Sequence, residues 1–257
     1  MVGGRQGTMA THHLQTLNAE VGDFGERDPY TDVHEFHLYP PYEAEYVIRM
    51  KVKRGSRPEW SLTIGDCVHN LRSILDYAVL ALWRAHSGEP AKIENVQFPI
   101  YSTQGGYREA RTRRIGGVHP RVKTIIRLAQ PYQRRNDPDG HPLMLLHALD
   151  NHDKHRVLHT THAVVEHAPF EVLERREAVV KWWKGLESGP FEDDTPMLQV
   201  RLLALGRKPH FKVKFAPTYG IAFDKTGPGR GELVMHLLND IRVYIRDDLL
   251  AALEPYF

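Results

Sequence analysis

The stretch SLTIGDCVHNLRSILDYAVLALWRA, from Ser61 to Ala85, decides the fold. Ile64, Cys67, Val68, Leu71, Ile74, Leu75, Ala78, Val79 and Leu82 recur at three- and four-residue intervals. That is the stripe of an amphipathic helix with one face in a core. At about 100° per residue, Asp66, His69, Asn70, Ser73, Asp76 and Tyr77 gather within about 120° on the opposite side. A solvated helix face is ordinarily rich in Lys and Glu. This one is short, compact and hydrogen-bonding, the composition of a partly buried network or site. Gly88 and Pro90 stop the helix, Gly88 as its left-handed terminator.

Outward from this helix, Pro142 to His155 reads as a second one, with Pro142 in its first turn. His147, Asn151, Lys154 and His155 line up on it with Asp150 alongside. Val122, Ile125, Ile126 and Ala129 predict a short helix before Pro131. His12 to Phe24 reads as another, and Glu232 to Glu254 as a long closing helix. Tyr46, Ile48, Met50 and Val52 alternate with Val47, Arg49, Lys51 and Lys53, a strand with one buried face. Pro29 to Pro41 reads as loop. Val157–His167, Phe170–Trp183, Met197–Leu205, Phe211–Phe215 and Tyr219–Phe223 read as strands joined by Gly/Pro turns, the Phe170 segment being open to a helical alternative. The expected class is α+β, core helices packed with an antiparallel sheet. Residues 1–10 are expected to form a disordered extension, with Met9 an alternative start. A single domain is then expected over 11–257, with a helical half (61–156), a strand-rich half (157–230) and a C-terminal helix (232–254).

With 257 residues, 41% hydrophobic and 26% charged, the chain can bury a proper core and is neither collagen-like nor low-complexity. The apolar run Ala78 to Trp83 is six residues, too short to cross a membrane. The start lacks an apolar signal region, and one cysteine cannot form an internal disulfide. A cytoplasmic location and no membrane association are therefore expected. A second copy of the chain is one partner to consider.

Net charge is only +2, but it is unevenly spread. Between Tyr107 and Arg135, nine cations (Arg108, Arg111, Arg113, Arg114, Arg121, Lys123, Arg127, Arg134 and Arg135) face the single Glu109, a net of +8. Charges this dense repel unless a polyanion such as RNA or a nucleotide neutralises them, the alternative being a solvated loop. Arginine, which outnumbers lysine 23 to 11, suits bidentate phosphate contacts.

The strings Ile64-Gly-Asp-Cys-Val-His-Asn-Leu-Arg-Ser-Ile-Leu-Asp-Tyr77 and Leu149-Asp-Asn-His-Asp-Lys-His-Arg156 resemble the signature helices of an uncharacterised bacterial family. That family's usual forms read GD-x-x-HNLRS-x-LDH and N-x-DKHR. Phe98-Pro-Ile100, Gln130-Pro-Tyr132 and the Pro255-Tyr-Phe257 ending are also similar to it, so the resemblance spans most of the chain. It implies a fold and no activity. A more distant resemblance is to HEPN domains, helical bundles that often act as metal-independent ribonucleases through Arg, four to six residues, then His. Here Arg72-x4 reaches Tyr77 in place of histidine, Arg156-x5 reaches His162, and the strand-rich second half departs from an all-helical bundle.

Three readings follow. In a ribonuclease, His69 or His155 takes the proton of a ribose 2′-hydroxyl as general base, and Arg72, Lys154 or Arg156 stabilises the phosphorus oxygens. The cations Arg108, Arg111, Arg113, Arg114, Arg121, Lys123 and Arg127 then hold the RNA. In a non-enzymatic scaffold, the two polar stripes pair inside the protein, Asn70 with Asn151 and Asp76 with Lys154 or Arg156. In a metal hydrolase, Asp66, His69, His147, Asp150 or His155 are ligands, although no HExxH motif occurs. No metal or cofactor is called for by the favoured reading. Gly227–Gly231 offers backbone N–H groups to an anion but matches no nucleotide motif. Cys67, Trp182 and Trp183 read as packing residues, and Glu192–Asp194 as a solvated acidic loop.

Overall fold

A computed structural model describes residues 30–53, 59–155, 160–185, 189–224 and 226–257, together with residues 15–17, 19 and 23. The chain is α+β and divides into two compact units. One comprises Met1–Asn18, Pro58–His159 and Asp224–Phe257, and the other Ala19–Arg57 and Thr160–Phe223. The expected His12–Phe24 helix falls mostly outside the described residues.

In the first unit, helix α1 runs Glu59–Ser87. The predicted apolar stripe is buried along its whole length, joined by Trp60 at the start. Gly88 ends it at φ +74°, its N–H donating to the Arg84 carbonyl at 3.1 Å. The basic segment is not a loop. It folds as helix α2, Gln104–Ile115, and helix α3, Pro120–Leu128. The Thr103 hydroxyl caps α2, and the His119 ring with Pro120 starts α3. Only Tyr107, Ala110 and Ile115 of α2 are buried, so its apolar signal is too sparse for periodicity to detect. The turn between the two helices is tight: a Cβ on Gly117 would lie 2.2 Å from the Trp83 indole. Helix α4 (Pro142–His155) packs against α1, and α5 (Val234–Val243) packs against both. Beyond α5 the chain widens to a π-helical stretch, Tyr244–Leu250, so the expected long helix is continuous in direction but not in hydrogen bonding.

The second unit is antiparallel. Strands β1 (Tyr30–Tyr39), β2 (Glu43–Val52), β7 (Thr195–Ala204) and β5 (Ala178–Gly185) form a sheet in the order β1-β2-β7-β5. β3 (Thr160–His167) pairs with β6 (Gly189–Pro190) and β9 (Thr218–Phe223), and β4 (Phe170–Arg176) pairs with β8 (His210–Phe215). The expected Pro29–Pro41 loop is instead mostly β1. Its polar side chains and half-exposed pattern hide the alternation that backbone pairing with β2 imposes. Phe170–Trp183 is two strands, split where Glu177 takes φ +48°. There its carbonyl accepts the Leu205 N–H and its carboxylate the Lys208 N–H. Tyr46, Ile48, Leu198, Val200, Leu202, Phe211 and Val213 build the core of this unit.

Candidate functional site

The polar stripe of α1 does meet α4. His69 is exposed on α1, and its Nδ1 stands 3.9 Å from Oδ1 of Asp150, whose side chain is 4% exposed. Leu146 and Leu149 bury the flanking face of α4, which draws Asp150 inward with them. One turn further on, Asp153 presses on the bare backbone of Gly65, where a Cβ would lie 2.7 Å from its Oδ1. Burial, and then the charges of Asp150 and Asp66, push the Asp153 carboxyl above its usual range, while His69 and His152 pull it down.

Arg72 is committed elsewhere. Its Nη2 donates to Asp76 Oδ1 at 2.9 Å and to the Phe98 carbonyl at 2.8 Å, and Asp76 Oδ1 also accepts the Phe98 N–H at 2.8 Å. The pair therefore clamps the Val96–Ile100 segment onto α1. Burial raises the Asp76 carboxyl above the usual carboxylate range, opposed chiefly by Arg72. Asn70 and Ser73 are half-buried, and Asp66 and Tyr77 are exposed. Asn151 bonds His147 of its own helix at 3.0 Å. The side chains of Lys154 and His155, and Arg156 altogether, lie outside the described residues. The stripe is thus an open face with one clamped end. Among the described residues no three His, Cys, Asp or Glu side chains converge to hold a metal ion.

The basic segment forms a second, more concave feature. Arg108, Arg111 and Arg113 on α2 are exposed, as are Arg121 and Arg127 on α3. Arg114 is half-buried and bonded to the Gln97 amide. Lys123 donates to the Gly116 carbonyl at 2.6 Å. Arg134 is spent on the Gly140 carbonyl at 2.8 Å and on Asp137. Between α2 and α3 lies a cavity of about 300 Å³ lined by Tyr107, Arg111, Thr112, Lys123, Thr124 and Arg127, with no acidic side chain in its wall. Burial pushes the Tyr107 hydroxyl up to about 12, and it donates its proton to the Lys123 carbonyl at 3.5 Å. Sequence reasoning missed Tyr107, Thr112 and Thr124. The available signal was spacing: Tyr107 precedes Arg111 by four residues and Thr124 precedes Arg127 by three, which puts each pair on one helix face.

The remaining candidates sort by environment. A wider cleft of about 1070 Å³ is lined by the Thr226–Arg230 loop and by α4 and α5. Its wall mixes Arg134 and Arg230 with Asp137, Asp139, Glu232 and Asp240, a balance unsuited to an anion. Cys67 is fully buried and its thiol is pushed up to about 12, an inert core residue. Asp194 binds Lys51 at 2.8 Å and Asp193 accepts the Val52 N–H at 2.9 Å, so the acidic loop holds the end of β2 rather than being merely solvated. Trp182 and Trp183, read as packing residues, are 45% and 55% exposed on β5, because a bulge after Val180 turns that strand. Trp183 still meets Phe170 edge-on at 5.1 Å. No helix is long and apolar enough to cross a membrane among the described residues. Compared with known protein families, curated proteins and solved structures, the chain matches none of them.

Proposed function

We propose that the protein binds RNA through its phosphate backbone, using the face formed by α2 and α3. One observation carries this reading. Arg108, Arg111, Arg113, Arg121 and Arg127 all reach solvent from two consecutive short helices, and none of them pairs with a carboxylate among the described residues. Exposed cations left without counter-charges repel one another, and a polyanion relieves that repulsion while releasing its own counterions. Arginine serves this better than lysine because its planar fork meets two phosphate oxygens at once. Contacts of this kind fix affinity and register without reading sequence. The direct test is fluorescence anisotropy with a labelled single-stranded oligonucleotide. Arg108→Gln with Arg113→Gln and Arg121→Gln should weaken binding of every sequence alike. Unchanged affinity would remove the face from consideration.

A second reading, metal-independent cleavage, has one observation in its favour. His69 is a solvent-reaching imidazole whose Nδ1 lies 3.9 Å from the buried Asp150 carboxyl. That is longer than a hydrogen bond but close enough for the carboxyl to orient the ring as general base after a small rotation. Arg72 is poorly placed for direct charge stabilisation in this reading, because its side chain is only 12% exposed and its Nη2 is bonded to Asp76 and Phe98. Incubation with RNA in EDTA tests it. His69→Ala should lower cleavage by ~10²-fold or more, and full activity in that variant would end the reading.

A further inference from the structure

We infer that the cavity between α2 and α3 takes a phosphomonoester, the doubly charged end group of an RNA strand or of a free nucleotide. The inference rests on the RNA-binding reading and names the chemical group that its most concave part recognises.

Charge is the first argument. A phosphodiester inside a strand carries one negative charge, whereas a monoester carries close to two at neutral pH. Arg111, Lys123 and Arg127 bring three positive charges to one cavity, with no carboxylate in its wall. Such a density exceeds what one diester neutralises, and it matches a terminal phosphate. The three exposed arginines outside the cavity, Arg108, Arg113 and Arg121, suit the diesters of a passing backbone.

Donor chemistry is the second. A monoester presents three equivalent acceptor oxygens, and the wall supplies two guanidinium forks, an ammonium and the Thr112 hydroxyl, while the Tyr107 and Thr124 hydroxyls give their protons to the Lys123 and Pro120 carbonyls. Lys123 is held in place by its bond to the Gly116 carbonyl, which uses one of its three protons and leaves two for a ligand. Tyr107 is 2% exposed, so its ring is a fixed wall rather than a mobile side chain.

Shape is the third. A cavity of about 300 Å³ is at the small end of ligand pockets, enough for a phosphate with part of its sugar. Gly116 also lines it, and its backbone lies so close to the preceding turn that a Cβ there would lie 2.2 Å from the Thr112 carbonyl oxygen. A chain end enters such a pocket once, while a continuous strand must enter and leave.

The experiment compares one short RNA with hydroxyl ends, with a 5′-phosphate and with a 3′-phosphate, by anisotropy against the full chain. A phosphorylated end should bind about tenfold more tightly than the hydroxyl-ended strand. That gain should vanish in Arg111→Gln/Arg127→Gln and survive in Arg108→Gln/Arg113→Gln, although both pairs weaken the hydroxyl-ended strand. Competition by a nucleoside monophosphate at equal potency assigns the site to free nucleotides, and its failure assigns it to strand ends. Equal affinity of all three strands, with binding still salt-sensitive, overturns the cavity assignment and leaves the backbone reading standing. A mononucleotide that binds when no strand does overturns the backbone reading and keeps the cavity. Circular dichroism of each variant confirms that it is folded.

Discussion

Gln130 offers the sharpest test of how the first unit is held together. Its side chain is fully buried, yet its amide makes three hydrogen bonds. Nε2 donates to the Pro99 carbonyl at 2.8 Å and to the Ile126 carbonyl at 3.1 Å, and Oε1 accepts the Tyr101 N–H at 3.2 Å. The residue thus ties the end of α3 to the same segment that Arg72 and Asp76 clamp from α1. Gln130→Met keeps the volume and removes all three bonds. At about 1 kcal/mol net for each, the loss is ~3 kcal/mol, a large share of the ~5–15 kcal/mol that keeps a domain folded. Urea unfolding followed by circular dichroism should show the midpoint fall with little change in slope. Thermal unfolding should move down by about 6–12 °C. Gln130→Glu should cost at least as much, because a carboxylate offers no proton to two buried carbonyls. A loss below ~0.5 kcal/mol in Gln130→Met would mean that the amide is not what fastens this segment.

Three further outcomes follow from the same structure. Burial, and then the nearby Arg134 charge, lower the His141 pKa, while its neutral Nδ1 accepts the Leu143 N–H at the start of α4. The unfolded chain therefore binds this proton more readily, so the stability contribution is complete above about pH 6.5 and declines as pH falls below it. His141→Asn, which keeps a capping acceptor and cannot titrate, should show a shallower loss between pH 7 and pH 5, and parallel curves would contradict the argument. Cys67, buried with its thiol raised to about 12, should resist alkylation at pH 8 in the native state and react promptly in denaturant. Fast native labelling would place it outside the core. Gly117→Ala should destabilise by ~1–3 kcal/mol through the clash with Trp83, and a neutral result would show that the turn can shift.

The elements legible in the sequence are those whose burial is periodic. The Ser61–Ala85 stripe, the alternation around Ile48 and the Pro142 start each produced an element close to its expected bounds. What stayed hidden depends on long-range pairing or on sparse apolar content. β1 exists because β2 offers it a hydrogen-bonding edge, and nothing in its own polar residues announces that. In α2, three buried residues among arginines leave a helix looking like a charged loop. The polar rows of α1 and α4 were visible as patterns, but the contact across them is His69 with Asp150 and not the expected Asn70 with Asn151, since Asn151 bonds His147 and Asp76 bonds Arg72 and Phe98. The occupation of Arg72 by Asp76 and Phe98 was not visible, because Phe98 comes from a segment without regular structure. The cavity was half legible. Its cations stood out by number, while the wall they share became visible only once two helices set Arg111, Lys123 and Arg127 around one space.

The most direct test of RNA binding by α2 and α3 is the dependence of affinity on salt. Five exposed arginines contacting single-strand phosphates predict a log–log slope of about −3.5. Replacing Arg108, Arg113 and Arg121 together should bring it to about −1.4, since roughly 0.7 is lost with each contact. A flat response in the unaltered protein, or an unchanged slope in the triple variant, would contradict the proposal.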